Sequence, residues 1–372
     1  MQETYLEINI DKIRNNILKI KKISENSKFC AVVKANAYGL GSDVICREIE
    51  DIVDYFAVAR LSEALLLRRA GIIKPILILG YVGLDDIEKC SRNDIDISIY
   101  DFGLAQEINK LGYKIRGHVV LDTGHGRIGF REDEISQIKK LKDLKNIDII
   151  SAFSHFATAD EEDNSFTIKQ EEIFDRIIDQ VKDDFAFEFV HLANSAATIR
   201  QKIFKGMNRV GISLYGLYPS IVVKDNTEIE LEKIFKLYTY VHFVKEIEAG
   251  TPISYGRTFV SDKPMKVASV AIGYADGYNR LFSNKGQVYI KGKACKVLGR
   301  VCMDQMMVDV SGLDVKIGEK VEIYRDIDRD ADLIGTISYE LMTNISMRVK
   351  RIYIKNGEVI EARDYLGELN ES

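Results

Sequence analysis

Over about the first 215 residues, short β-rich runs alternate with stretches of helical periodicity, and no other feature of the chain limits its fold as tightly. The runs are 29–33, 55–59, 76–79, 95–100, 115–121, 149–154 and 187–192, with an eighth at 207–215. Helical segments such as 62–70 and 165–181 lie between them. In the second of these, Phe166, Ile173, Phe174, Ile177, Ile178 and Val181 recur mostly at three- and four-residue steps and make one apolar stripe. Repeated alternation of this kind implies parallel pairing with right-handed crossovers. About eight repeats in this length predict a (β/α)8 TIM barrel, with an open doubly wound sheet as the structural alternative.

The pattern changes after about Leu231. Alternating β-type segments at 236–244, 265–272, 287–290, 295–301, 306–310 and 320–324 are separated by Asn284, Gly286, Gly292, Gly312 and Gly318. They predict a second, mostly β domain. The expected division is a barrel over 1–230 and a β-rich domain over 231–372, with the first ten or so residues free to pair with the second domain. A chain of 372 residues has room for both. The 52 Lys and Arg against 57 Asp and Glu leave a net charge of −5, so there is no basic footprint for nucleic acid. No apolar run approaches a membrane span, and the polar start is not that of a signal peptide. Five cysteines without a C-x-x-C indicate neither a disulfide framework nor a zinc ribbon, so no metal is expected. A reducing cytoplasm is the expected compartment.

In a barrel of this type chemistry sits where strands end. The first strand ends in Lys34, the fifth runs into Asp122-Thr-Gly-His-Gly-Arg127, and the sixth ends in His155. The seventh leads to Asn194 and Ser195, expected to open a helix, and the eighth carries Arg209 and Gly211. Each has a plain structural use: a solvated lysine, a satisfied core histidine, an arginine on carbonyls, a helix cap. Together they make one site with an amine nucleophile, an anion cradle and positive electrostatics. Lys34 follows the apolar Cys30-Ala-Val-Val33, and such burial lowers an amine's pKa and suits it to a Schiff base. Ser195 and the amides near it match the common phosphate position of the fold. The pair suggests pyridoxal 5′-phosphate (PLP); an aldolase-type barrel also uses such a lysine but needs no second β domain.

The motifs, in order, are Ala31-Val-Val-Lys-Ala-Asn-Ala-Tyr-Gly-Leu-Gly41, Asp122-Thr-Gly-His-Gly-Arg-Ile-Gly129, Ser154-His-Phe-Ala-Thr-Ala-Asp160, His191-Leu-Ala-Asn-Ser-Ala-Ala197 and Arg209-Val-Gly-Ile212. Ser254-Tyr-Gly256, Ile272-Gly-Tyr-Ala-Asp-Gly277 and Cys302-Met-Asp304 follow. On them the chain resembles the alanine racemase family, fold-type III PLP enzymes, over essentially its whole length.

The resemblance implies a homodimer with composite sites, interconverting L- and D-alanine with two bases and supplying D-alanine for peptidoglycan. Lys34 would hold PLP and serve as one base. Tyr255, reaching in from the partner subunit, would be the other. Tyr38, Ser195 and the amides of Gly211 and Ile212 would bind the phosphate, with Asn194 beside them. Arg209 would face the pyridine nitrogen, and His155 would connect it to Tyr255. Arg127 and the Met303 amide would hold the substrate carboxylate, with Tyr274 and Met347 also on the substrate side. A free phenol titrates near pH 10, so Tyr255 needs neighbouring positive charge to act as a base.

Two positions depart from the family pattern. Val120 stands where a carbamylated lysine is common, and Met347 stands where a tyrosine is common. His125 and Arg257 are also unusual at their loop positions. These departures keep a racemase of broader specificity, for serine or a larger amino acid, as the alternative. A fold-type III PLP decarboxylase is more distant, because Tyr255 in its Ser-Tyr-Gly context is a racemase feature. A non-catalytic PLP carrier would need neither Tyr255 nor the second domain.

Overall fold

The structure, a computed structural model, describes residues 3–24 and 26–367. Residues 1, 2, 25 and 368–372 lie outside it, and with them the outer limits predicted for the two domains. Internal contacts divide the chain into two units, Lys12–Ala37 with Gly41–Lys233, and Met1–Asp11 with Tyr38–Leu40 and Ile234–Ser372.

Strand β1 (Tyr5–Asn9) belongs to the second unit. The first unit carries eight parallel strands: β2 (Lys28–Val32), β3 (Tyr55–Val58), β4 (Ile76–Ile78), β5 (Ile95–Ile99), β6 (Ile115–Val120), β7 (Ile147–Phe153), β8 (Phe189–His191) and β9 (Met207–Val210). They pair in chain order from β2 to β8, and β9 returns to pair with β2. The Arg209 amide donates to the Ala193 carbonyl at 3.0 Å, joining β9 to the end of β8 and closing the sheet into a barrel. Gly206 permits that closure, since a Cβ there would stand 2.9 Å from the Val190 carbonyl oxygen. Every residue of β3, β4 and β5 is buried, as expected when side chains fill the barrel and helices cover it.

Helices Leu61–Arg69 and Ser165–Val181 form at the predicted places. The second buries Phe174, Ile177 and Val181. Phe166 leaves the predicted stripe and packs over the backbone of Gly124 instead, where a Cβ would meet its ring at 2.8 Å. One expectation needs correction. The run 207–215 is a strand only to Val210, because Gly211 turns the chain into the 3-10 turn Ile212–Tyr215. Asn194 and Ser195 open a helical segment as expected, with the Ala197 amide donating to Asn194 Oδ1 and the Thr198 amide to the Asn194 carbonyl, but after Ser195 and Ala196 it widens into a π-helix. That five-residue π-helix, Ala197–Gln201, ends at Lys202 in the left-handed region.

In the second unit β10 (Phe235–Ile247) is long enough to serve two partners on one side. Its first half pairs with β1 and β17 (Lys320–Ile323); beyond an irregularity between Val241 and Phe243 it pairs with β13 (Met265–Val270). Strands β14 (Gln287–Ile290), β15 (Lys293–Leu298) and β16 (Met306–Asp309) complete a closed six-strand ring in the order β13, β16, β15, β14, β17, β10. Ile247, Ile253, Met265, Val267 and Leu298 form one of its apolar clusters. β1 continues the sheet to β18 (Lys350–Lys355) and β19 (Glu358–Arg363). A short hairpin of β11 (Pro252–Ile253) and β12 (Phe259–Val260) presents Tyr255 at its turn. Helices Ile327–Ile334 and Ser338–Thr343 were not expected in this mostly β region. No helix among the described residues is long and apolar enough to cross a membrane.

Candidate active site

The apolar strand β2 delivers Lys34 two residues past its end. There Ala35, Asn36, Ala37 and Tyr38 all take left-handed backbone angles, φ 53°, 55°, 52° and 56°. L-residues in that region cost about 1–2 kcal/mol each, so the turn persists only because its surroundings hold it. The Ala35 amide donates to Glu63 Oε1 at 2.7 Å, and the Ala37 amide to the Val33 carbonyl at 2.8 Å. Asn36 Oδ1 accepts from the Ser42 amide at 2.8 Å. The Lys34 amine is lowered from its ordinary pKa, chiefly by burial and further by the charge of Arg127, with Glu63 opposing.

Arg209 is almost fully buried in β9, its guanidinium 5.1 Å from the Phe153 ring centre. NH1 donates to His191 Nδ1 at 2.6 Å. NH2 donates to the Ser154 carbonyl at 2.6 Å and faces His155 Nδ1 and the Leu192 carbonyl at 3.3 Å. Burial pushes its pKa down to about 10, with Arg127 adding to the effect and Cys30 opposing, so it remains a cation at neutral pH. His155 is held well below the usual histidine range by burial, then by the charges of Arg209, Arg127, His125 and Lys34. It is a neutral imidazole at pH 7. These couplings place Lys34, Arg127, His155 and Arg209 in one electrostatic neighbourhood.

Arg127 is exposed on the loop after β6. Asp122 Oδ1 accepts the amides of Gly124 and Gly126, each at 3.0 Å, and shapes that loop. The Arg127 guanidinium has no partner among the described residues. Val120, the last residue of β6, is buried and offers it none. The predicted anion cradle lies at the ends of β8 and β9. Ser195 Oγ accepts the Gly211 amide at 2.9 Å, and Asn194 Oδ1 accepts the Ala197 amide at 3.0 Å. The Ile212 amide opens a 3-10 turn, where no carbonyl of the turn can reach it.

The remaining predicted residues belong to the second unit. Tyr38 is buried 6.1 Å from the Tyr339 ring, and burial raises its hydroxyl above the usual range. The amides of Tyr274 and Ala275 donate to the carbonyls of Cys302 and Met303, each at 3.0 Å, so Tyr274 and Met303 sit on adjoining loops. The Ser346 amide donates to the Asp276 carbonyl at 3.1 Å, and Arg348 NH1 donates to Asp304 Oδ1 at 2.9 Å. Met347 is thereby brought to the same surface. Tyr255 is exposed on a turn where Ser254 has φ 64° and ψ −178° and Arg257 has φ 50°.

Several residues that build this site are not marked by the motifs as functional. Glu63, which pins the lysine turn, lies outside them, as do His118 and Asp96. His191 heads one motif, but the resemblance implies no role for it. The available signal was an ionisable side chain within an otherwise apolar strand, as in Ile95-Asp-Ile-Ser-Ile99. Among the described residues no group of three or more His, Cys, Asp or Glu could hold a metal ion.

Residues 8–219 match the family model of the alanine racemase N-terminal domain, and residues 234–353 that of the C-terminal domain. An alanine racemase of Clostridium novyi is 40% identical, with 98% of this chain and 99% of that protein aligned. The solved alanine racemase of Clostridium difficile 630 superposes with a TM-score of 0.93 at 38% identity, covering 98% of this chain and 99% of that one. That of Bacillus anthracis, solved with bound L-Ala-P, gives 0.94 at 37% identity over 99% of both chains. With both family domains matched in order and full-length relatives at this identity, the chain belongs to the alanine racemase family.

Proposed function

We propose that this protein is a PLP-dependent alanine racemase, interconverting L- and D-alanine with Lys34 and Tyr255 as its two bases. The observation that carries the reading is the convergence at the barrel mouth of a depressed lysine amine with a buried arginine that has hydrogens to spare. The donor set suits PLP. Lys34 supplies the amine for its aldehyde. Ser195 with the Gly211 and Ile212 amides supplies donors for its phosphate, Tyr38 adds a hydroxyl, and Asn194 holds the adjoining turn. Arg209 can only donate, so it keeps a pyridine nitrogen opposite it unprotonated. When bound, the cofactor withdraws electrons from the substrate's α-carbon and makes its proton removable.

The chain's own groups do the rest. Racemisation needs a base on each face, because a single base tends to return the proton to the side it left. Lys34 Nζ, lowered by burial, takes or returns the proton on one face. Tyr255 Oη serves the other and comes from the second copy of a homodimer. His155, neutral and bonded to Arg209, links that charge towards the tyrosine. Arg127 and the Met303 amide hold the alanine carboxylate, with Tyr274 and Met347 beside the side chain. The D-alanine product suits peptidoglycan synthesis. Five free thiols, four of them buried, suit a reducing cytoplasm.

Purified protein incubated with PLP and L-alanine should reach an equal mixture of enantiomers by chiral chromatography, because the two have equal free energy. An amine product would favour a decarboxylase instead. Borohydride reduction followed by peptide mass analysis should find PLP on Lys34, and Lys34→Ala should lose it. A reducible adduct retained elsewhere in that variant would remove Lys34 from its role.

A further inference from the structure

A chain of buried polar side chains crosses the barrel interior behind Arg209. His191 at the end of β8, His118 in β6 and Asp96 in β5 are each fully buried. Arg209 NH1 lies 2.6 Å from His191 Nδ1; His191 Nε2 lies 3.0 Å from His118 Nδ1; His118 Nε2 lies 3.4 Å from Asp96 Oδ2. Tyr55 Oη also donates to Asp96 Oδ2, and Arg116 Nε donates to Asp96 Oδ1 at 2.7 Å.

The arginine fixes where the protons sit. Guanidinium has no acceptor, so His191 Nδ1 must accept, and a neutral His191 carries its hydrogen on Nε2. That hydrogen points at His118 Nδ1, which must accept in turn. The His118 hydrogen is then on Nε2, facing the carboxylate. Only this direction satisfies every pair, and buried polar groups left unmatched are costly. Burial opposes ionisation of Asp96, but His118, then Tyr55 and Arg116, keep its carboxyl below the usual range. Burial, then Arg209 and His118, keeps His191 well below the usual histidine range and therefore neutral.

The recorded bonds of Arg209 use NH1 once and NH2 on three acceptors, which leaves Nε and one NH1 hydrogen for a ligand. If His191 carried its proton on Nδ1 instead, donor would meet donor at 2.6 Å and the guanidinium would have to rotate. We propose that Asp96 and His118 are positioning residues for Arg209: accepting in series, they hold His191 in the one tautomer that pins the guanidinium and aims its remaining hydrogens at the cofactor ring. The aiming rests on the racemase reading; the tautomers do not.

The test uses the full-length holoenzyme labelled with 15N-histidine. The chain has five histidines, so imidazole signals can be assigned with single His→Gln variants. His118 and His191 should both carry hydrogen on Nε2 alone. A hydrogen on Nδ1 of either one overturns the proposal. In Asp96→Asn the amide oxygen should stay with Arg116 and the NH2 should turn to His118 Nε2, moving the His118 hydrogen to Nδ1. The kcat for L-alanine should then fall about tenfold with KM changed less than about twofold, since Arg209 faces the cofactor and not the substrate carboxylate. Tyr55→Phe, which removes the bond to Asp96 and a phenol oxygen 3.5 Å from His118 Nε2 but leaves the carboxylate in place, should leave both tautomers as they are. Unchanged tautomers or unchanged kcat in a folded Asp96→Asn variant would reduce the chain to barrel filling. A protein that fails to racemise alanine while showing both Nε2 hydrogens would refute the proposed function and leave the relay standing.

Discussion

Met347 is a flexible thioether in a place where the family commonly has a tyrosine, and it is 57% exposed on the single chain. Methionine supplies neither a rigid ring nor a hydroxyl. Arg127 is under-held as well, since buried Val120 stands where a carbamylated lysine is common. In the proposed function both changes would act where substrate binds rather than where protons move. A difference of about one methyl group in an apolar pocket is worth only about 1–3 kcal/mol, so a softened wall cannot strongly exclude a side chain slightly larger than alanine's. The expected outcome is turnover of alanine with measurable turnover of serine or a larger amino acid. Met347→Tyr should raise kcat/KM for alanine over the larger substrate by about tenfold, the low part of that range. If steady-state kinetics on both substrates give the same ratio in parent and variant, Met347 does not shape the pocket.

At the scale of elements, the turn β11–β12 shows how the chain stiffens the presentation of Tyr255, the proposed second base. Ser254 occupies a region open in practice only to glycine and costing about 1–3 kcal/mol, and its Oγ donates to the Arg300 carbonyl at 2.6 Å. A Cβ on neighbouring Gly256 would meet the Arg300 guanidinium at 3.1 Å, so the turn on either side of Tyr255 packs against Arg300. Ser254→Ala keeps the strain and deletes the bond. It should lower stability by about 1 kcal/mol and reduce kcat more than KM. Urea denaturation and alanine kinetics together check this; a stability loss with unchanged kcat would mean that the turn does not need Ser254. The difference between the legible and the hidden elements is physical. β3 and β4 were legible because both faces are buried and each is a compact apolar run between polar boundaries, and β5 because Ile95, Ile97 and Ile99 alternate along it. Helix Ser165–Val181 was legible because it spans several turns of one period. Helices Ile327–Ile334 and Ser338–Thr343 offer about two turns each, too few for a period to stand out. The left-handed lysine turn was hidden because alanine and asparagine occupy positions where glycine would have announced it. Asp96 and His118 were hidden because their meaning depends on strands that are distant in sequence and neighbours only in the closed barrel.

At the scale of the whole molecule, the unpartnered surface of the second unit is the informative feature. Tyr255, Tyr274 and Met303 are 70%, 42% and 52% exposed, and Met347 joins them. Exposed aromatic and methionine side chains on adjoining loops are characteristic of a surface that another protein covers. In the proposed function they are also the residues given to the second base and the substrate side. The proposed homodimer would account for both facts: the barrel of one copy would supply Lys34 and receive Tyr255 from the other. Such an isologous dimer has two equivalent composite sites. The arrangement makes a quantitative prediction. Lys34→Ala and Tyr255→Phe should each be inactive or nearly so in racemisation. In a mixed dimer of the two, one site combines both defects and the other combines neither. Random subunit exchange makes about half of the dimers mixed, with one intact site in each, so activity should recover to about a quarter of the parent value. Differentially tagged subunits allow the mixed dimer to be isolated, where recovery should reach about half. If both bases came from one chain, every site in the mixture would keep a defect. Demonstrated exchange without recovery would then place Tyr255 with the Lys34 of its own chain.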